Sequence, residues 1–426
     1  MYKLYGDGIH DDYPAIQEMI DSGKCEISLP APENFYLITK TLTLPSNFTL
    51  RLPRFAKIRL ADGANCFMLQ NKTVYKPAQR THPEIYKHEE KLAEKAKSVV
   101  DGYNFFVNDY SPDPEDTARN IEVCGGIWDC NNMGQNPNPQ RTFVYEPYGY
   151  TGYGMLFYNV KDLIIRDLTI KDPTNFSITL DRVSYFTVRD LIFDFNLGNP
   201  IPLNMDGVHV NGNCHYGTID NLKGACYDDL VALNADEGSF GPITNINVSN
   251  IYAEKCHSAV RLLTVKNAVE NIHISNVFGT YYQYCIGVTR FYKGTFEGYF
   301  DSLTFDNIYA SKADIEPYRT MVRTMLPNWA TTTLNPIWIQ GDSLLKNICI
   351  DSVHRHESVN NMETIFIGAN CTIENMSVSN VVTENKTGAP MPFIKNNGVI
   401  KNLHTANINI GSEEFFTGDG TIENIN

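Results

Sequence analysis

The chain has 426 residues, with 35 Lys plus Arg against 49 Asp plus Glu, giving a formal net charge of −14 at pH 7 and a pI near 5.2. That balance excludes a nucleic-acid phosphate backbone as an expected partner, because such partners are held by clustered cations. No apolar run approaches the length of a membrane-spanning helix, and an acidic surface leaves sugars open as ligands.

The chain opens Met1-Tyr2-Lys3-Leu4-Tyr5 without an apolar leader. The expected location is therefore the cytoplasm, or the outside for a chain already trimmed of its signal. Asp12 followed by Pro14, with Ile16, Met19 and Ile20 on one face, predicts a short amphipathic helix capped by Asp12. Such a helix is suited to cover the open end of a stacked fold. Asp7, Asp11 and Asp12 are read as turn and capping residues.

From Asp162 onward a short phrase keeps returning: Asp162-Leu163-Ile164-Ile165-Arg166-Asp167-Leu168, then Tyr185 to Leu191, Asn245 to Ile251 and Asn271 to Val277. Later copies start at Asn347, Asn375 and Asn402, with a fragment at Asn424, and weaker ones at Asn120, Tyr216 and Ser302. The steps are 23 (162 to 185), 26 (245 to 271), 28 (347 to 375) and 27 (375 to 402). Within each copy apolar and polar residues alternate as in a strand, and the Asn or Asp sits where the chain must turn. A period of that size with several short strands per copy predicts an all-β fold, a right-handed parallel β-helix forming one domain over 1–426. A leucine-rich repeat shares the period, but its Leu-x-x-Leu-x-Leu frame and helical return are not evident.

Two partly helical insertions interrupt the repeat, at 71–118 (around His88 to Lys95) and 311–335 (around Tyr318 to Arg323). Long insertions in a solenoid emerge as loops beside the binding face. The stretch Tyr145 to Gly154 holds tyrosines that either offer faces to sugar rings or pack on neighbouring coils. The ten cysteines form no Cys-x-x-Cys pair, so metal-binding spacing is absent; no metal or other cofactor is expected. Cys226, Cys256, Cys285 and Cys349 read as small buried hydrophobes.

Three segments place polar residues just before a short apolar strand. They are Asn204-Met205-Asp206-Gly207, Tyr227-Asp228-Asp229 and Cys256-His257, separated by 22 (206 to 228) and 28 (229 to 257) positions. Each gap is close to one coil, so Asp206, Asp228, Asp229 and His257 are expected in one column, extended by Arg290. Arg261, an even four positions past His257, is expected on the same side. Carboxylates this close repel, and one held protonated supplies an acid beside a base, as glycosidic cleavage requires.

Asn204-Met205-Asp206-Gly207 resembles the Asn-Thr-Asp-Gly motif of the polygalacturonase-like family, glycoside hydrolase family 28, whose members have the pectate-lyase-like β-helix. Tyr227-Asp228-Asp229 is similar to its Gly-Asp-Asp, Cys256-His257-Ser258 to its Gly-His-Gly, and Arg290 falls at its Arg-Ile-Lys. The likeness runs from about Asn120, through Gly125-Gly126-Ile127-Trp128-Asp129, to about residue 300. The opening Gly6-Asp7-Gly8 with Ala15-Ile16-Gln17 also looks like that superfamily. The resemblance implies Asp228 as general acid, Asp206 and Asp229 as activators of water with inversion, and His257 as a tuning neighbour. It implies substrate contacts for Arg290, with Asn204, Tyr227, Arg261 and Lys293 as further candidates. The chain departs from the pattern at Met205, at Tyr227, at both glycines flanking the His, and at Tyr292, with Lys293 one position late. These changes bear on the substrate more than on hydrolysis: an inverting hydrolase of a polysaccharide or derived oligosaccharide is expected, with pectic and other uronate-containing saccharides among the candidates and plain polygalacturonate disfavoured. Two other readings stay open: a polysaccharide lyase with Arg261 or Arg290 as base, often with Ca²⁺, and a non-catalytic carbohydrate-binding rod. The oligomeric state is left open.

Overall fold

The computed structural model describes residues 3–73, 114–136, 152–199, 202, 204–290, 298–314 and 333–426. Most of both insertions, Lys293 and most of the tyrosine-rich stretch lie outside the described residues. The chain packs as two compact units, residues 1–223 with 237–241 and residues 224–236 with 242–426.

In the first unit the helix Tyr13–Ile20 forms as expected, with Pro14 in its first turn and Ala15, Ile16 and Ile20 buried. Gln17 bridges both backbone groups of Thr43 (2.9 and 3.1 Å), fixing the helix on the strand Leu42–Leu44. The expected cap is corrected. Asp12 makes no side-chain bond to the helix; its carboxylate turns back to accept from the amides of Tyr5 (2.6 Å) and Gly6 (3.1 Å). The Gly6 turn offers two amides pointing the same way, and they outcompete the helix end. Asp11 instead accepts from the Tyr13 amide at 3.0 Å, and Asp7 closes the turn onto Ile9 and His10.

Strands in this unit pair in parallel with the predicted one-coil offset, Val160–Arg166 lying between Ala118–Cys124 and Ser184–Asp194. A second sheet runs through Leu42–Leu44, Leu69–Asn71, Met155–Tyr158, Ile178–Asp181 and Val208–Val210. In the second unit, Ile246, Ile272, Leu303, Ile348, Met376, Leu403 and Ile425 stand opposite one another from coil to coil. All but the last are buried, which explains why no single coil could fold alone. The repeated Asp and Asn residues take left-handed backbone at the corners, φ being 58° at Asn250 and 56° at Asn276. Their side chains form a ladder from coil to coil, Asn276 donating to Asn250 (3.1 Å) and Asn307 to Asn276 (2.6 Å).

The fold is thus a parallel β-helix, as the periodicity predicts. Cys226, Cys256 and Cys285 are buried and Cys349 is half-buried, all as free thiols. Among the described residues no helix is long and apolar enough to cross a membrane.

Candidate active site

In the second unit, two neighbouring strands of one sheet, Asp229–Asn234 and Ser258–Leu263, set Asp229 opposite Ser258 and Ala232 opposite Arg261. The preceding residues therefore superpose as well. Cys226 and Cys256 point inward with sulfurs 3.4 Å apart, leaving Asp228 and His257 on the outer edge with Oδ1 3.7 Å from Nδ1. His257 Nδ1 also lies 3.1 Å from the Ser258 hydroxyl.

The two adjacent carboxylates occupy different surroundings. Asp229 is buried, and its oxygens accept from the hydroxyl of Tyr284 (2.9 Å), the hydroxyl of Ser258 and the guanidinium of Arg261 (3.4 Å). The Asp228 side chain keeps 22% of its surface exposed and is reachable from solvent. Burial, helped by Arg261 and Lys312 and opposed by Asp229, pushes His257 down to about 4, so its ring is neutral at neutral pH. Burial together with the negative Asp229 holds the Tyr284 phenol well above its usual range, so it stays a donor.

Asp228, Asp229 and His257 each bring a ligand atom within 4.8 Å of the others, a spacing compatible with a cation. The Arg261 guanidinium, however, already places positive charge on Asp229. Arg261 also reaches the Thr289 hydroxyl through Nε (3.3 Å). Arg290 follows the strand Ile286–Thr289 and turns to the next coil, its amide donating to Gln340 Oε1 (2.7 Å) and its guanidinium to the Asp342 carbonyl. Tyr227 is half-buried, and burial raises its phenol pKa.

Asp206 and Asn204 belong to the first unit. Asn204 takes left-handed backbone (φ 53°), a conformation that Asn tolerates. The Asp206 carbonyl accepts from both the amide (3.0 Å) and the hydroxyl (2.6 Å) of Ser177, stacking the motif on the preceding coil. Its carboxylate is buried and lies 2.6 Å from Nδ1 of His209. Tyr153, the one tyrosine of the 145–154 stretch within the described residues, is buried and stacks on Phe67 and Phe176, packing rather than presenting a face.

Three residues around the aspartates were not singled out by sequence: Ser258, Tyr284 and His209. Ser258 follows its motif at once as the start of a strand, whereas His209 sits in the middle of the apolar strand Val208–Val210 and reads there as core. Tyr284 lies 55 positions beyond Asp229, past coils of unequal length, and carries no such signal.

The coils are those of a parallel β-helix protein, and those of the second unit carry the cluster of Asp228, Asp229 and His257. Residues 151–278 match the family model "Glycosyl hydrolases family 28", a span that holds Asp206, Asp228, Asp229 and His257 but not Arg290. The likeness read from the motifs is therefore borne out over that span, and it marks the protein as a glycoside hydrolase. No curated protein sequence matches the chain. Among solved structures it resembles a family 28 exopolygalacturonase of Yersinia enterocolitica, at 14% identity over 100% of this chain and 76% of that one, with a TM-score of 0.55. It also resembles the A-modules of two mannuronan C-5 epimerases of Azotobacter vinelandii. For AlgE4 the identity is 11% over 100% and 98% of the two chains, with a TM-score of 0.53. For AlgE6 it is 13% over 100% and 97%, with a TM-score of 0.51. At these identities the structural likeness shows the shared fold alone.

Proposed function

We propose that this hydrolase cleaves a pectic or other uronate-containing saccharide with inversion at the anomeric carbon. Asp228 is the general acid that protonates the leaving oxygen. Asp206 and Asp229 activate the water that attacks from the opposite side. His257, neutral, hydrogen-bonds near the acid and tunes it. Arg290 and Arg261, with Asn204, Tyr227 and Lys293, are assigned to substrate, the arginines matching a uronate carboxylate.

The observation that carries this reading is the contrast between the adjacent carboxylates. Asp229 is fixed by three donors, while Asp228 sits at the solvent edge beside a neutral imidazole. Paired carboxylates in unlike surroundings are how one site supplies both acid and base. The uronate preference rests on family 28 kinship and on the two arginines. A lyase would draw its base from Arg261 or Arg290, but the first guanidinium is engaged by Asp229 and the second donates to the Asp342 carbonyl.

The test is mass spectrometry of products from a panel of pectic, other acidic and neutral oligosaccharides, with and without chelator. Products heavier by one water, unaffected by chelator and lost in Asp228→Asn, are expected. Unsaturated products, or dependence on a metal, would overturn the assignment.

A further inference from the structure

His209, in the strand Val208–Val210, is buried and faces acceptors at both ring nitrogens. Nδ1 lies 2.6 Å from Asp206 Oδ2. Nε2 lies 3.1 Å from Asn211 Oδ1 and 3.4 Å from Glu237 Oε2. The Asn211 orientation is fixed by its own amide nitrogen, which donates to Asp181 at 2.9 Å, so its oxygen is what faces the imidazole. A neutral imidazole has one N–H and one lone pair, and would leave a lone pair against an acceptor on one side. Only the doubly protonated ring donates on both sides.

The ring face gives the same answer. Phe176 stacks on it with centroids 3.7 Å apart and planes within 10°, an arrangement that favours a cation over an aromatic face. The charged groups facing His209 in its own unit are Asp206 and Glu237, with Asp181 acting through Asn211. Burial opposes the charge, but the hydrogen bonds to Asp206 and Glu237 outweigh it and push His209 up to about 9.

We propose that His209 is a positioning residue, a buried imidazolium that holds Asp206 oriented and ionised for activating water. This deepens the assignment of Asp206 made above and rests on it. The placement follows from the sequence, because His209, three positions after Asp206, lies in the short strand Val208–Val210 that directly follows the motif. Neutralising His209 would remove the positive charge between buried Asp206 and half-buried Glu237, and protonation of Asp206 would become easier.

The first test needs no variant. Nitrogen-15 NMR of ring-labelled histidine in the intact protein should show both His209 nitrogens protonated through neutral pH. In Asp206→Asn the same ring should titrate at least one pH unit lower. A neutral tautomer in the wild type overturns the proposal.

The second test is the pH profile of kcat/KM for His209→Asn, measured with the pectic oligosaccharide hydrolysed fastest in the panel. The acid limb should move up by at least one unit, which is a tenfold or greater loss on that limb. A uniform loss at all pH values would mean a merely structural histidine and would overturn the proposal. The two ideas fail separately. Full activity in Asp206→Asn removes the role of Asp206, whereas an inactive Asp206→Asn with an unmoved limb in His209→Asn removes only that of His209.

Discussion

Tyr284→Phe isolates one donor of the Asp229 carboxylate. The substitution deletes only the hydroxyl, 2.9 Å from Asp229 Oδ1. It keeps the ring that stacks on Trp338 (6.0 Å) and meets His257 edge-on (6.4 Å). Packing is therefore conserved, and the loss is one hydrogen bond to a buried carboxylate that keeps Ser258 and Arg261. Hydrogen bonds to charged groups contribute about 1.5–3 kcal/mol, and that range is expected as the drop in unfolding free energy by urea titration at neutral pH. If Asp229 works in catalysis as proposed, misplacing it should also lower kcat/KM by roughly ten- to hundredfold. A double-mutant cycle with Asp229→Asn makes the assignment specific, because the coupling should account for most of the single effect. A stability loss below about 0.5 kcal/mol, the size of an ordinary surface change, or zero coupling, would refute the reasoning.

The two buried histidines predict opposite pH slopes of stability. His257 falls from 6.5 to about 4 on folding, so the unfolded chain binds the extra proton between those values. Stability should drop as pH falls from about 6.5 to 4, by on the order of 3 kcal/mol, and His257→Gln should flatten that slope in urea melts. His209 rises from 6.5 to about 9. Its contribution is complete below 6.5 and is lost as pH climbs through 9, so His209→Asn should flatten the alkaline slope. Arg355 is fully buried and binds Glu357 Oε2 through two nitrogens (2.9 and 2.7 Å). Arg355→Met leaves the buried Glu357 carboxylate without its guanidinium, with the amides of Lys312, Val359 and Asn360 still donating to it, and should cost about 3–5 kcal/mol in denaturant unfolding. Gly279 has φ +141°, and an added Cβ would meet the Ala253 carbonyl at 1.7 Å. Gly279→Ala should therefore destabilise by more than about 1 kcal/mol and lower the melting midpoint.

Much of the fold was legible because the corners and the core obey local rules. An Asn or Asp at each corner tolerates left-handed backbone, and alternation marks which side chains enter the coil, so residues such as Ile246 and Ile272 align by simple counting. The Asp228, Asp229 and His257 neighbourhood was legible for the same reason, since its two segments are one coil apart without an insertion. Counting failed where coils differ in length or a local competitor intervened. Tyr284 reaches Asp229 from two coils away. Asp12 has a helix cap signature, yet the amides of the Gly6 turn claim its carboxylate. His209 was hidden because a lone histidine in an apolar strand reads as core until its acceptors are seen.

The central claim is that a water attacks opposite the departing oxygen while Asp228 protonates it. Proton NMR of the freshly released reducing end, followed before mutarotation, tests this most directly. The account predicts that the new anomer has the opposite configuration to the cleaved bond, and that Asp228→Asn abolishes its appearance. A product that retains the configuration, or an unsaturated end in its place, would contradict it.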